Sequence, residues 1–211
     1  MTVLDAAGTP VSELRARAAQ QGEFVRRRLL AEIDRGLGAG NAPADEPSRV
    51  TLARLLAALI PDSIPAIASS LQTSDLSDAS AELQFSIFVA LSDLPALITD
   101  AQVLDTVTQL LKRYLLAIDT DMAQAAWMAG DLLGDHWLLA LALPTLCDVA
   151  RGAQHASGRE GAIHGLSHAL GRASKAEQWK MVELLNAIAT TDSEPSVRQS
   201  AEMAISSLRA R

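Results

Sequence analysis

Three stretches of this chain can be laid over one another: "MAQAAWMAGDLL" from Met122, "GREGAIHGLSHA" from Gly158 and "VRQSAEMAISSL" from Val197. Their alignment sets Ala126, Ala162 and Ala201 in one column, Ala129, Gly165 and Ala204 in a second, and Leu133, Ala169 and Leu208 in a third, at offsets of 36 and 39 residues. Small side chains three or four residues apart share one face of a helix, and their return at a long period predicts helices that stack in tandem at close range. Composition agrees. Ala and Leu supply 70 of 211 residues and aromatics only 3%. Both are strong helix formers, and no useful run of alternating β-branched residues argues for a strand. The expected fold class is all-α.

Thr9 is a good N-cap and Pro10 suits a first helical position, so a helix is expected from there to about Arg35. The stretch "GLGAGNAPADEP", residues 36 to 47, ends it. Arg26, Arg27 and Arg28 are consecutive, but three residues span about 200° of a helix. Glu23, Glu32 and Asp34 flank them, so they are read as part of a solvated end-cap helix. Residues 1–48 thus form an N-terminal capping helix with a linker, and residues 49–211 a repeat array. In that array "SIPAI" (63–67), "DLPAL" (93–97) and "ALPTL" (142–146) place a proline between aliphatics, where a helix can start without its N–H. The expected pairs are 49–60 with 63–72, 79–92 with 94 or 101 to 118, 121–134 with 138–153, and 158–171 with 174–190. A lone closing helix spans 195–209.

Helix pairs of this length, with Pro195, Val197, Arg198 and Ala201 in the order Pro-x-Val-Arg-x-x-Ala, resemble the HEAT and HEAT-like (PBS-lyase-type) repeat family. The resemblance covers roughly residues 49 to 209 and is clearest in the last three units. It implies a right-handed α-solenoid of stacked antiparallel helix pairs whose second helices line a concave binding surface. One branch of the family is a hydroxylase holding iron with His-Glu pairs. This chain contains no His-Glu dipeptide, which disfavours that branch. Bilin lyases share the repeat, but likeness of fold is no warrant for their activity.

The second helices then supply the candidate binding ladder: Gln109, Lys112 and Arg113; Trp137, Asp148 and Arg151; Trp179, Lys180, Glu183 and Asn186. Exposed tryptophan among arginines is the composition of an interface hot spot, whereas in the alternative Trp137 and Trp179 pack against neighbouring helices. The expected function is a non-catalytic protein–protein interaction module: an adaptor, scaffold, inhibitor or immunity-type binder. A net charge of −7 repels phosphate backbones and favours a protein partner with a basic surface over nucleic acid.

An enzyme, metal-assisted or a helical-repeat DNA glycosylase, is the alternative. In helix 158–171, steps of about 100° from Ala162 put Glu160, His164 and His168 near 160°, 200° and 240°, away from the buried face. His-x-x-x-His with a carboxylate has metal-ligand spacing, yet zinc wants a further ligand and outer partners, and none is identifiable on that face. They are read as surface histidines; no metal or other cofactor is assigned. Trp127 and Asp131 sit four apart, as an aromatic and a carboxylate would to stack on and attack a flipped base. They lie on a first helix, however, and Trp127 is expected to cover a seam between repeats. Asp131, Asp135 and His136 form the one tight titratable cluster, at the helix end in "LLGDHW". No catalytic residue is assigned.

Cys147 is the single cysteine, which excludes an intramolecular disulfide and a cysteine zinc cluster; it reads as a small core residue. The start "MTVLDAAGTP" lacks a secretory pattern and no apolar run approaches 18 residues, so a cytoplasmic protein without a membrane span is expected. The 15 Arg against 3 Lys, with the alanine excess, suggest a GC-rich bacterial genome.

Overall fold

A computed structural model describes residues 8–37, 42–72, 78–119 and 122–209. Residues 38–41 of the expected linker and the side chains of Asp34 and Leu208 lie outside the described residues. All regular structure among those described is helical. In chain order the elements are α1 (Val11–Gln20), α2 (Glu23–Leu37), α3 (Glu46–Ala58), α4 (Ile64–Gln72), α5 (Asp78–Leu91), the single turn α6 (Leu94–Leu97) and α7 (Ala101–Ala117). They continue with α8 (Ala123–Asp131), a π-helical turn (Leu132–His136), α9 (Leu139–Gly152), α10 (Ala156–Ala169), α11 (Lys175–Thr191) and α12 (Pro195–Arg209). The chain comprises two compact units, Met1–Val103 and Leu104–Arg211. No described helix is long and apolar enough to cross a membrane.

In the first unit α1 and α5 pack on α3, and the core is built from Leu14, Leu56, Ile67, Ile87 and Phe88. The single N-terminal helix expected from the sequence is two. Gln21 is extended (φ −80°, ψ 140°) and Gly22 follows, so α1 ends and α2 restarts. Glycine costs about 1 kcal/mol inside a helix, and Arg26 holds the break by donating to the Gln21 carbonyl at 3.1 Å. Pro10, not Thr9, occupies the N-cap position. The three arginines of α2 are matched by acids, Arg26 with Asp62, Arg27 with Glu23 and Arg28 with Glu32.

In the second unit α8 packs on α10 and α10 on α12, while α9 packs on α11. The small-residue columns lie in these contacts. Ala126, Ala129, Ala162, Ala169 and Ala201 are buried completely. The approach of α8 to α10 is closer than alanine permits. A methyl group placed on Gly130 would lie 2.1 Å from the Gly161 carbonyl oxygen, and one on Gly134 2.3 Å from that of Gly165. From the other side, Gly161 and Gly165 meet the carbonyls of Ala126 and Gly130 at 2.4 and 2.6 Å. The two backbones touch directly over two turns.

An arginine at one helical position recurs alongside, buried at Arg49 and Arg159 and half-buried at Arg198. Arg49, Arg159 and Arg198 each stand fourth in their helix, and each donates to the carbonyls six and five residues back. Those carbonyls belong to Pro43 and Ala44, Ala153 and Gln154, and Asp192 and Ser193. The arginine thereby supplies donors to backbone acceptors of the incoming turn. Arg49 also pairs with Glu82, and Arg159 clasps Asp192 through two bonds of 2.8 and 3.0 Å. Each acid lies 33 residues downstream of its arginine.

Pro144 departs from expectation. Pro65 and Pro95 stand near the starts of α4 and α6, but Pro144 is inside α9. Its missing N–H leaves the Ala140 carbonyl without its helical donor, and both residues are exposed, so the loss falls on the solvent side of the helix.

Two outcomes follow for chemical unfolding of the full chain. Arg159→Ala leaves Asp192, only 11% exposed, without its partner, and the expected loss is about 3–5 kcal/mol. Gly161→Ala drives a methyl into backbone, with a loss of about 3 kcal/mol; a loss near zero would mean that α8 and α10 separate freely.

Candidate functional site

The side chains that carry chemistry collect on the flank of the α8–α10 contact. His164 and His168 are one turn apart on α10, and glycine contact brings the end of α8 alongside them. Asp131 closes α8 and Asp135 lies in the π-turn. Four residues are close to one turn in either helix type, so both carboxylates face α10. His164 Nε2 stands 2.8 Å and His168 Nε2 3.2 Å from the same oxygen, Asp131 Oδ1. The second nitrogen of His168, Nδ1, is 2.7 Å from Asp135 Oδ2. Trp127 stacks on His164 with centroids 4.3 Å apart and planes at 26°, and His164 meets His168 edge to face at 4.7 Å.

The arrangement is semi-enclosed: the side chains of Asp131, His164 and His168 are 36%, 23% and 34% exposed. Asp131 Oδ1 itself is buried, and although two imidazole nitrogens are near, no donor is aligned on it. Burial holds His164 below the ordinary imidazole value; the Asp131 carboxylate draws it part of the way back and His168 pushes it down further. The neutral imidazole is the form that offers a lone pair. Arg172 steadies the scaffold by donating to the Gly134 and Trp137 carbonyls at 2.6 and 2.7 Å, which holds the π-turn at the end of α8.

A wheel for one helix turns His164 and His168 away from Ala162 but cannot show that α8 approaches that flank. The further carboxylates absent from α10 come from Asp131 and Asp135. Glu160, the carboxylate grouped with the histidines by spacing, is outside the cluster. Asp131 and Trp127, paired in the glycosylase reading, are engaged with the histidines. Trp127 lies over the α8–α10 seam. His136 is exposed and takes no part in the cluster.

On the ladder of second helices, Gln109, Arg113, Asp148, Arg151, Trp179, Lys180, Glu183 and Asn186 are exposed and Lys112 is half-buried. Lys112 Nζ binds Asp148 Oδ2 at 2.7 Å, joining α7 to α9. Trp179 is 64% exposed. Trp137 is a correction, because it is completely buried and cannot be a contact residue. The chain is extended at Trp137 after the π-turn, the indole turns inward, and Nε1 donates to Thr108 Oγ1 at 2.7 Å. Thr108 passes its own proton to the Leu104 carbonyl, so burial leaves no polar atom unpaired. Cys147 is half-buried, its thiol pushed up by burial, in a groove of about 230 Å³ with Leu139, Leu143, Pro144 and Met181. Glu177 and Lys180 also line it.

Comparison with known proteins returns no match among protein-family models, curated proteins or solved structures.

The depressed His164 value gives a testable sign. At His164 the folded chain binds fewer protons than the unfolded one near the ordinary histidine value of about 6.5. The stability contributed by His164 is complete above that pH and is lost as pH falls below it. Asp131→Asn removes an influence that raises the His164 value, so its NMR titration midpoint in EDTA moves further down; an upward move would contradict the assignment.

Proposed function

We propose that the chain is a non-catalytic protein–protein interaction module: a right-handed α-solenoid of HEAT-like pairs that offers its second-helix face to a protein partner. The observation that carries this reading is Trp179, an indole standing in solvent on α11 with Lys180, Glu183 and Asn186 exposed around it. A large apolar surface left in water lowers the free energy of any association that covers it, and tryptophan does so with little rotamer entropy to lose. The neighbouring groove between α9 and α11 adds half-buried Leu139 and exposed Pro144 to the surface available. Gln109, Lys112, Arg113, Asp148 and Arg151 extend the face with polar groups.

The repeat assignment is supported by the arginine that recurs fourth in α3, α10 and α12 with the same backbone acceptors. Such a chain serves as an adaptor, a scaffold or an inhibitor, in the cytoplasm of a bacterium. The excess negative charge favours a partner with a basic surface, steered by long-range attraction.

Affinity capture with the full chain identifies the partner, and calorimetry with the purified pair then tests the face. Trp179→Ala should weaken binding about 30-fold, the loss of a hot-spot residue worth ~2 kcal/mol. Met203→Ala, an exposed apolar residue of α12 off this face, should leave it unchanged. Binding should also weaken with added salt. Equal affinity for wild type and Trp179→Ala would remove the proposal.

A further inference from the structure

We propose that Asp131, His164 and His168 form a site for one divalent transition-metal ion, with zinc the best fit, lying on the α8–α10 flank apart from the second-helix face. The first argument is distance. Two donors bonded to one ion at about 2.0–2.1 Å stand about 2.9 Å apart at a right angle and about 3.4 Å apart at the tetrahedral angle. The two nitrogens lie 2.8 and 3.2 Å from Asp131 Oδ1, and the three donor atoms are mutually within 4.8 Å. Both nitrogen–oxygen separations fall in or near the range for two ligands of one ion.

The second argument is the count of protons. A neutral imidazole has one N–H, yet His168 presents Nδ1 to Asp135 and Nε2 to Asp131. With the proton on Nδ1, donated to Asp135, Nε2 turns a lone pair toward the Asp131 carboxylate, and either a second proton on the ring or a cation held between the two relieves that contact. The buried Asp131 Oδ1, on which no donor is aligned, points to the same requirement. A metal ion meets both needs at once. Asp135 then acts as the outer carboxylate that fixes the tautomer and orientation of a ligating histidine.

The third argument is preorganisation. The donors come from two helices whose backbones touch through Gly130, Gly134, Gly161 and Gly165, so they cannot drift apart. The stacked Trp127 ring holds His164 in place. Two imidazoles and one carboxylate select zinc or its neighbours cobalt, nickel and copper over magnesium or calcium, which want oxygen ligands. Three protein ligands at a half-exposed rim leave the remaining position to water or to an exchangeable ligand. Bound zinc ties α8 to α10 and stabilises the folded chain by mass action.

The test is calorimetric titration of zinc chloride into the EDTA-treated full chain, with Trp127 emission and thermal unfolding followed in parallel. One zinc per chain, a higher melting temperature and a change in Trp127 emission are expected. Asp131→Asn, His164→Ala and His168→Ala should each weaken binding at least ~100-fold and Asp135→Asn about 10–100-fold, while Glu160→Gln leaves it unchanged. Cobalt in place of zinc should give visible bands of a four-coordinate ion that Asp131→Asn abolishes. The near-isosteric Asp131→Asn and Asp135→Asn keep the test valid if a histidine variant fails to fold. Absence of stoichiometric zinc binding would overturn the proposal. So would affinity that survives Asp131→Asn, which would mean a histidine pair acting alone, or that falls with Glu160→Gln.

Discussion

Direct backbone contact between α8 and α10 is the constraint on which the second unit depends. Four positions without a side chain, Gly130, Gly134, Gly161 and Gly165, let carbonyl oxygens of one helix reach where a Cβ of the other would stand. At this range dispersion and Cα–H contacts accumulate along the whole seam. The seam also sets lateral geometry, because side chains flanking it are held within a few ångström of the opposite helix. The meeting of Asp131 with His164 and His168 is a consequence: the same approach that buries the glycines leaves the polar flank of each helix facing the other.

The polar interior is managed by arginine. Burying a guanidinium is costly unless its donors are used, and Arg159 uses them on two backbone carbonyls and both oxygens of Asp192. Its counterparts Arg49 and Arg198 meet the same kind of backbone acceptors, which closes each turn entering a helix. Trp137 follows related logic, since its indole N–H reaches Thr108, which in turn reaches Leu104. Both groups specify one arrangement of their neighbours, because any other leaves a buried donor or acceptor unmet.

Much of the helical layout was legible along the chain. Periodic apolar residues and turn signals placed α3 to α5 and α7 to α12 within a few residues of their ends, because those signals act locally. Other local signals were overridden. Pro144 has the look of a helix start but sits in the middle of α9, tolerated because its turn faces water. The arginine device is visible only in part along the chain: Arg198 belongs to the Pro-x-Val-Arg-x-x-Ala pattern, while nothing local connects Arg49 and Arg159, in the same helical position, to acids 33 residues away. Trp137 and Trp179 are indistinguishable as letters, yet one is buried and the other stands in solvent, since burial depends on whether a distant Thr108 is there to accept the indole proton.

The sequence by itself determined that the chain is helical and where helices of small-residue face would begin and end, because propensity, capping and periodicity are properties of neighbouring residues. It also placed His164 and His168 on one face of one helix. Only the tertiary structure decided what that face meets. Glycine contact draws Asp131 and Asp135 from α8 and its π-turn toward the histidines, leaves Glu160 out, and turns Trp127 onto His164. Convergence of donors from two helices depends on how far apart their axes lie, a distance set by packing across the seam and recorded in no single segment of the chain.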